Sequence, residues 1–118
     1  MAGFTFSHRD DFERNGNWAL ARRSLGVNSF GMNLVEIQPG ESIPEHDETD
    51  RDQEEVFFVV GGDAVIVIDG EDHAAATGTF VRFDPEVRRT ARNDGDAVAT
   101  LMMVSAPRGS GYEPMGWA

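Results

Sequence analysis

Short apolar runs, each cut off by glycine, aspartate or proline, recur at roughly ten-residue spacing through the middle of this chain. That rhythm is the strongest constraint on its fold, because it suits short strands and tight turns. Residues 32–37 read as one strand, stopped by Pro39 and Gly40. Residues 56–60 read as a second, stopped by Gly61, Gly62 and Asp63, and residues 64–68 as a third. Asp69-Gly70 then gives a strong hairpin signal, since a type I′ turn needs positive φ at both central residues. Residues 73–76 return from it. Residues 80–83 and 88–92 follow, split by Asp84-Pro85, and residues 98–105 form the last long strand after a turn at residues 93–96. Residues 10–15 suit one helical turn, and nothing else reads as helix. The run Ala74-Ala75-Ala76 is too short to nucleate one. The expected class is all-β, a single-domain antiparallel sandwich or barrel.

At 118 residues the chain is one domain with enough length for a real core. Within it, residues 1–31 read as an N-terminal arm with short strands, 32–105 as the barrel and 106–118 as an irregular tail carrying Tyr112, Met115 and Trp117. With no cysteine, disulfides, thiolate metal sites and thiol nucleophiles are excluded. A net charge of −11 argues against nucleic-acid or anionic-membrane partners, which need a basic face. All ten basic residues are arginine. No run approaches the roughly 20 apolar residues of a membrane span. The N-terminal stretch lacks the apolar core of a leader, so a cytoplasmic protein is expected. Neither a phosphate-cradling glycine loop before a helix nor a G-x-S-x-G elbow occurs.

The stretch that carries chemistry runs from Pro39 to Gly62. Gly40 is followed by five residues and then His46; Glu48 comes two later; Glu55 is followed by six residues and then Gly62. This resembles the first sequence motif of the cupin superfamily, in which a glycine, a His-x-His pair, a glutamate and a glycine fall in that order. The resemblance covers roughly residues 32–105 and implies a jelly-roll barrel with a divalent transition metal (Fe, Mn, Zn, Ni or Cu) held inside. Two ligands at i and i+2 on a strand point to the same side, and a glutamate from the next strand can meet them.

The chain departs from the pattern at three places. Counted from Gly40, the second histidine is Glu48; counted back from Glu55, the two slots fall on Asp50 and Glu48. In the second motif Asn93 matches, Glu86 stands where the family has glycine, and Arg89 stands in the slot of the third histidine. A guanidinium keeps its proton and cannot ligate. Two unit charges ~4 Å apart at an effective dielectric near 20 interact by ~4 kcal/mol, so Arg89 facing a divalent ion would weaken its binding strongly.

Three readings follow. The first is a barrel that binds a small anionic or carbonyl-bearing molecule, with an altered or lost metal site. Arg89, Glu55, Phe57 and Met102 then line the ligand pocket, with Arg89 gripping the anion or pairing with Glu55 or Glu48. The second is a metal-dependent enzyme of dioxygenase or isomerase type using His46, Glu48 and Glu55. The third is a non-catalytic dimeric or regulatory module. His46 is otherwise a loop histidine among acidic neighbours, and Arg89 one of a surface cluster with Arg88 and Arg92, whose parities do not all match. His73 reads as an ordinary strand residue. Glu54 and Gln53 are expected outside or at the rim, with Gln53 an atypical pocket group. Phe58, Phe80, Phe83 and Met103 read as core. A homodimer built through the two chain ends is expected, with Phe4, Phe6 and Trp18 covering a strand edge.

Overall fold

The computed structural model describes residues 3–118. Met1 and Ala2, which begin the stretch read as unlike a leader, lie outside the described residues. Among the described residues nine strands form two antiparallel sheets. They are β1 (Arg14–Asn15), β2 (Trp18–Ala19), β3 (Gly31–Ile37), β4 (Gln53–Gly61), β5 (Ala64–Ile68), β6 (Glu71–Ala75), β7 (Phe80–Phe83), β8 (Arg89–Arg92) and β9 (Ala99–Pro107). The larger sheet has the order β1-β2-β3-β9-β4-β7 and the smaller β6-β5-β8. The all-β jelly-roll expectation holds.

The turns explain how the chain changes sheet. Gly62, at φ 71°, sits so close to the backbone of Val98 and Ala99 that a side chain there would collide with it, and this lets β4 cross to β5. Asp69 and Gly70 both have positive φ, 49° and 83°, as the type I′ reading requires. Asn93 is fully buried and ties the last turn down. Its amide donates to the carbonyls of Ile37 (2.8 Å) and Ala97 (2.7 Å), and its oxygen accepts from the Gly95 N–H. Pro44 keeps residues 42–46 from being a regular strand. They still run along β8 through bridges at Ser42 with Arg92 and His46 with Arg89, so the small sheet gains an irregular fourth member.

Two local readings are corrected. A helix α1 (Ala21–Leu25) lies in the N-terminal arm, ended by Gly26 in the left-handed conformation. Residues 10–15 do not form one turn. A 3-10 turn takes Arg9–Asp11, and Arg14–Asn15 is already strand. The arm does cover an edge, since β2 pairs with β3, but through Trp18 and Ala19 alone. Phe4 and Phe6 are exposed and meet edge to face. Tyr112, Met115 and Trp117 of the tail are exposed as well.

Parity assigns the faces. On the larger sheet, Phe57 stands opposite Met103, Val59 opposite Leu101 and Val35 opposite Leu101, all pointing into the core. Phe58 stands opposite both Met102 and Phe80 on the other face, where Phe80 is 68% exposed. The core reading of Phe58 and Phe80 and the pocket reading of Met102 are therefore corrected: all three clothe the outside of the sheet.

Candidate functional site

Successive rungs of the inner face become polar toward one end. Asn33 stands opposite Met103, Gly31 opposite Ser105, Ser105 opposite Glu55, and Pro107 opposite Gln53. These residues line a cavity of about 500 Å³, which His46, Glu48, Trp18, Arg22 and Arg51 also border.

Glu55 reaches the site from β4, on the same face as Phe57, and is 7% exposed. Arg89 comes from the facing sheet at the start of β8 and is fully buried. Its Nη2 and Nε both donate to Glu55 Oε1, at 2.8 and 3.2 Å. Nη1 donates to the carbonyls of Val87 (2.7 Å) and Asp84 (3.4 Å), and the guanidinium lies 5.0 Å from the centre of the Phe83 ring. His46 faces Arg89 across a bridge in which each residue's N–H bonds the other's carbonyl. The two side chains meet on the same carboxylate oxygen, His46 Nε2 lying 3.3 Å from Glu55 Oε1. Glu48 Oε1 lies 3.7 Å from the same Nε2.

The imidazole is held between acceptors. Nδ1 lies 3.1 Å from the Pro44 carbonyl and Nε2 faces two carboxylates. Hydrogen bonding to Glu55 raises the His46 pKa above its ordinary value; burial opposes this, and the Pro44 carbonyl adds to the rise. Burial pushes Glu55 up, but the hydrogen bonds from His46 and Arg89 together outweigh it and hold the carboxyl below its usual range.

The donor set was tested against a metal. One donor atom each from His46, Glu48 and Glu55 lies within 4.8 Å of the others. A divalent ion with ligands at roughly 2.1 Å brings neighbouring donors to about 3 Å of each other, so these three residues would form one face of a coordination sphere once the widest pair closed by up to about 1.8 Å. With Nδ1–H donating to the Pro44 carbonyl, Nε2 is the nitrogen left to ligate in the neutral ring. The residues fit such an ion. Arg89 donates twice to Glu55 Oε1, the oxygen that faces His46, so its charge beside this donor set lowers the affinity for a cation.

His46, Glu48, Glu55 and Arg89 thus come together. Asp50 is exposed in the 3-10 turn Thr49–Arg51, away from the set. Phe57 is fully buried, its ring centre 6.5 Å from that of His46, and packs edge-on against Phe83; neither it nor Arg89 borders the cavity that both were expected to line. Met102 points outward, and Met103, its neighbour in sequence, lines the cavity. His73 is exposed on β6. Gln53 borders the cavity. Sequence reading missed Trp18, Arg22, Asn33, Arg51 and Ser105. Gln53 and Ser105 were reachable from the parity of Glu55 and from a paired register, whereas Arg22 and Arg51 lie outside any strand.

The family described as Cupin domain matches residues 33–105. This chain belongs to the cupin family. The cupin is 31% identical over 88 residues to Protein SchB of Streptomyces halstedii, a match covering 75% of this chain and 62% of that protein. The chain thus spans less than two thirds of that relative's length. Its fold is similar to that of a cupin protein from Bacteroides fragilis, with a TM-score of 0.81 at 19% identity over 99% of this chain and 94% of the other. It also resembles a structure described as a sugar phosphate isomerase from a cupin superfamily, from Silicibacter pomeroyi. There the TM-score is 0.68 at 25% identity, over 77% of this chain and 60% of that one. Among the described residues no helix is long and apolar enough to cross a membrane.

Proposed function

We propose that this cupin binds a small polar molecule in the cavity and directs a carbonyl or oxyanion of that molecule at His46. One observation carries the reading: Arg89, in the third-histidine slot, spends its hydrogen bonds on Glu55 and on backbone carbonyls. It therefore supplies no ligand to a metal, and it keeps Glu55 ionised beside His46. The ionised Glu55 in turn favours the imidazolium, whose two N–H groups are held by Pro44 and the carboxylates and whose positive charge at the cavity wall attracts an anionic or carbonyl oxygen. Arg89 acts here through Glu55 and does not itself grip the ligand. The test is thermal stabilisation by a panel of small carbonyl compounds that carry no anionic group. Stabilisation lost in His46→Gln is the expected result, and stabilisation untouched by that change would sink it.

A second reading has its own observation, the three donors within 4.8 Å of one another. A divalent ion held by His46, Glu48 and Glu55 supplies Lewis-acid polarisation of a bound carbonyl. Glu48 and Glu55 provide the negative charge, and Glu55 is oriented by Arg89. Elemental analysis of protein purified without chelator decides: stoichiometric transition metal, lost in Glu48→Gln, supports a metal-dependent enzyme. Substoichiometric metal in every preparation removes that reading and leaves the first.

A further inference from the structure

Twenty-one acidic residues outnumber ten arginines in this chain, so an arginine without a carboxylate partner is unexpected. Seven of the ten sit against carboxylates: Arg14, Arg23, Arg82, Arg88, Arg89, Arg92 and Arg108. Among the described residues, Arg9, Arg22 and Arg51 have no such partner, and two of these three border the cavity.

Four acids that do not line the cavity are engaged by other arginines. Arg88 takes Glu45 and approaches Asp47, and Arg108 takes Asp52 and Glu86. Asp50, next to Arg51, does not line the cavity. Arg22 gives one hydrogen bond, from Nη1 to the Val27 carbonyl at 3.1 Å, which positions the guanidinium and leaves its other donors open. Arg51 closes the Thr49–Arg51 turn just before the left-handed Asp52, whose carboxylate is held by Arg108 at 2.6 Å. Among the described residues the only carboxylates on the cavity wall are Glu48 and Glu55, and both face His46.

We infer that Arg22 and Arg51 form an anion-binding subsite at the cavity mouth. It holds a carboxylate or phosphate group of the ligand, while the ligand's other end meets His46. This rests on the reading of the cavity as a small-molecule site and names the ligand class. A planar guanidinium suits an oxyanion by paired hydrogen bonds. On a molecule carrying −11, a local surplus of positive charge is what allows an anion to settle at all.

The experiment is an NMR titration of the arginine Nε–Hε signals with inorganic phosphate and, separately, with malonate. Expected are saturable shifts at Arg22 and Arg51 and none at Arg9, the third unpartnered arginine, which lies outside this cavity. The tighter of the two probes identifies phosphate or carboxylate as the preferred group. Arg22→Gln and Arg51→Gln should each weaken binding roughly tenfold, and the double variant should show no saturation. Absence of shifts at Arg22 and Arg51, equal shifts at Arg9, or binding in the double variant within threefold of wild type overturns the inference. His46→Gln should retain the anion shifts, so a failure of the chemistry assigned to His46 is separable from a failure of this subsite.

Discussion

The two ends of the barrel are built on the same strands and differ in almost everything else. At one end the inward rungs are Ile37 with Ala99, and Val35 with Leu101 and Val59, all 2% exposed or less. At the other they are Gly31, Asn33, Ser105, Glu55 and Gln53, bordering the cavity. Alternation decides that all of these face inward. Position along the strand decides whether facing inward means packing or binding. Arg89 and Glu55 sit at the boundary, where a charge is buried as deeply as a leucine and is stable only because its hydrogen bonds are complete.

The largest effect expected is at that boundary. Arg89→Ala leaves Glu55 buried without its main partner and should cost about 3–5 kcal/mol, a Tm loss of roughly 10–20 °C. Leu101→Ala at the apolar end should cost about 2–5 kcal/mol through the void it leaves. Acid separates the two in calorimetry. Protonating Glu55 removes the unpaired charge, so the Arg89→Ala deficit narrows as pH falls below Glu55's ordinary 4.5, while the Leu101→Ala deficit does not. Equal pH dependence would mean that the two ends are held by the same physics.

A smaller effect concerns His46 in chelator-treated protein. Its pKa is raised on folding, so its contribution is complete below 6.5 and is lost as pH rises through the folded-state value. That of Glu55 has the opposite sign: complete above 4.5, lost as pH falls through the folded-state value. The pair therefore stabilises most between 4.5 and 6.5. The Tm gap between wild type and His46→Gln should close toward alkaline pH; a gap that widens there contradicts the assignment.

The smallest effect belongs to the polar end. Asn33→Leu should leave stability within about 0.5 kcal/mol of wild type, since Asn33 faces the cavity and not the packed core. It should nevertheless weaken stabilisation by small carboxylates in a thermal-shift assay. A Tm loss like that of Leu101→Ala would show that the cavity end is packed after all.

Much of the fold was legible because turn chemistry is local. Asp69-Gly70 and Gly62 impose their backbone geometry wherever they stand, and β5 and β7 begin and end where their apolar runs do. Helix α1 was missed because five residues carry no periodicity, although Gly26 offered a stop signal. Met102 and Met103 lie in the unbroken apolar run Leu101-Met102-Met103-Val104, where alternation leaves no trace in residue type. Only pairing with Phe57 and Phe58 says which one faces in.

By itself the sequence determined a strand-and-turn chain of the cupin pattern, with His46, Glu48, Glu55 and Arg89 as its chemical residues. Tertiary structure decided what each of them does. Whether a buried guanidinium faces a ligand or locks a carboxylate depends on which acceptors lie within about 3 Å of it. For Arg89 those acceptors come from β4 and from the turn at residues 84–87. The distances were set when the two sheets packed, and no spacing along the chain records them.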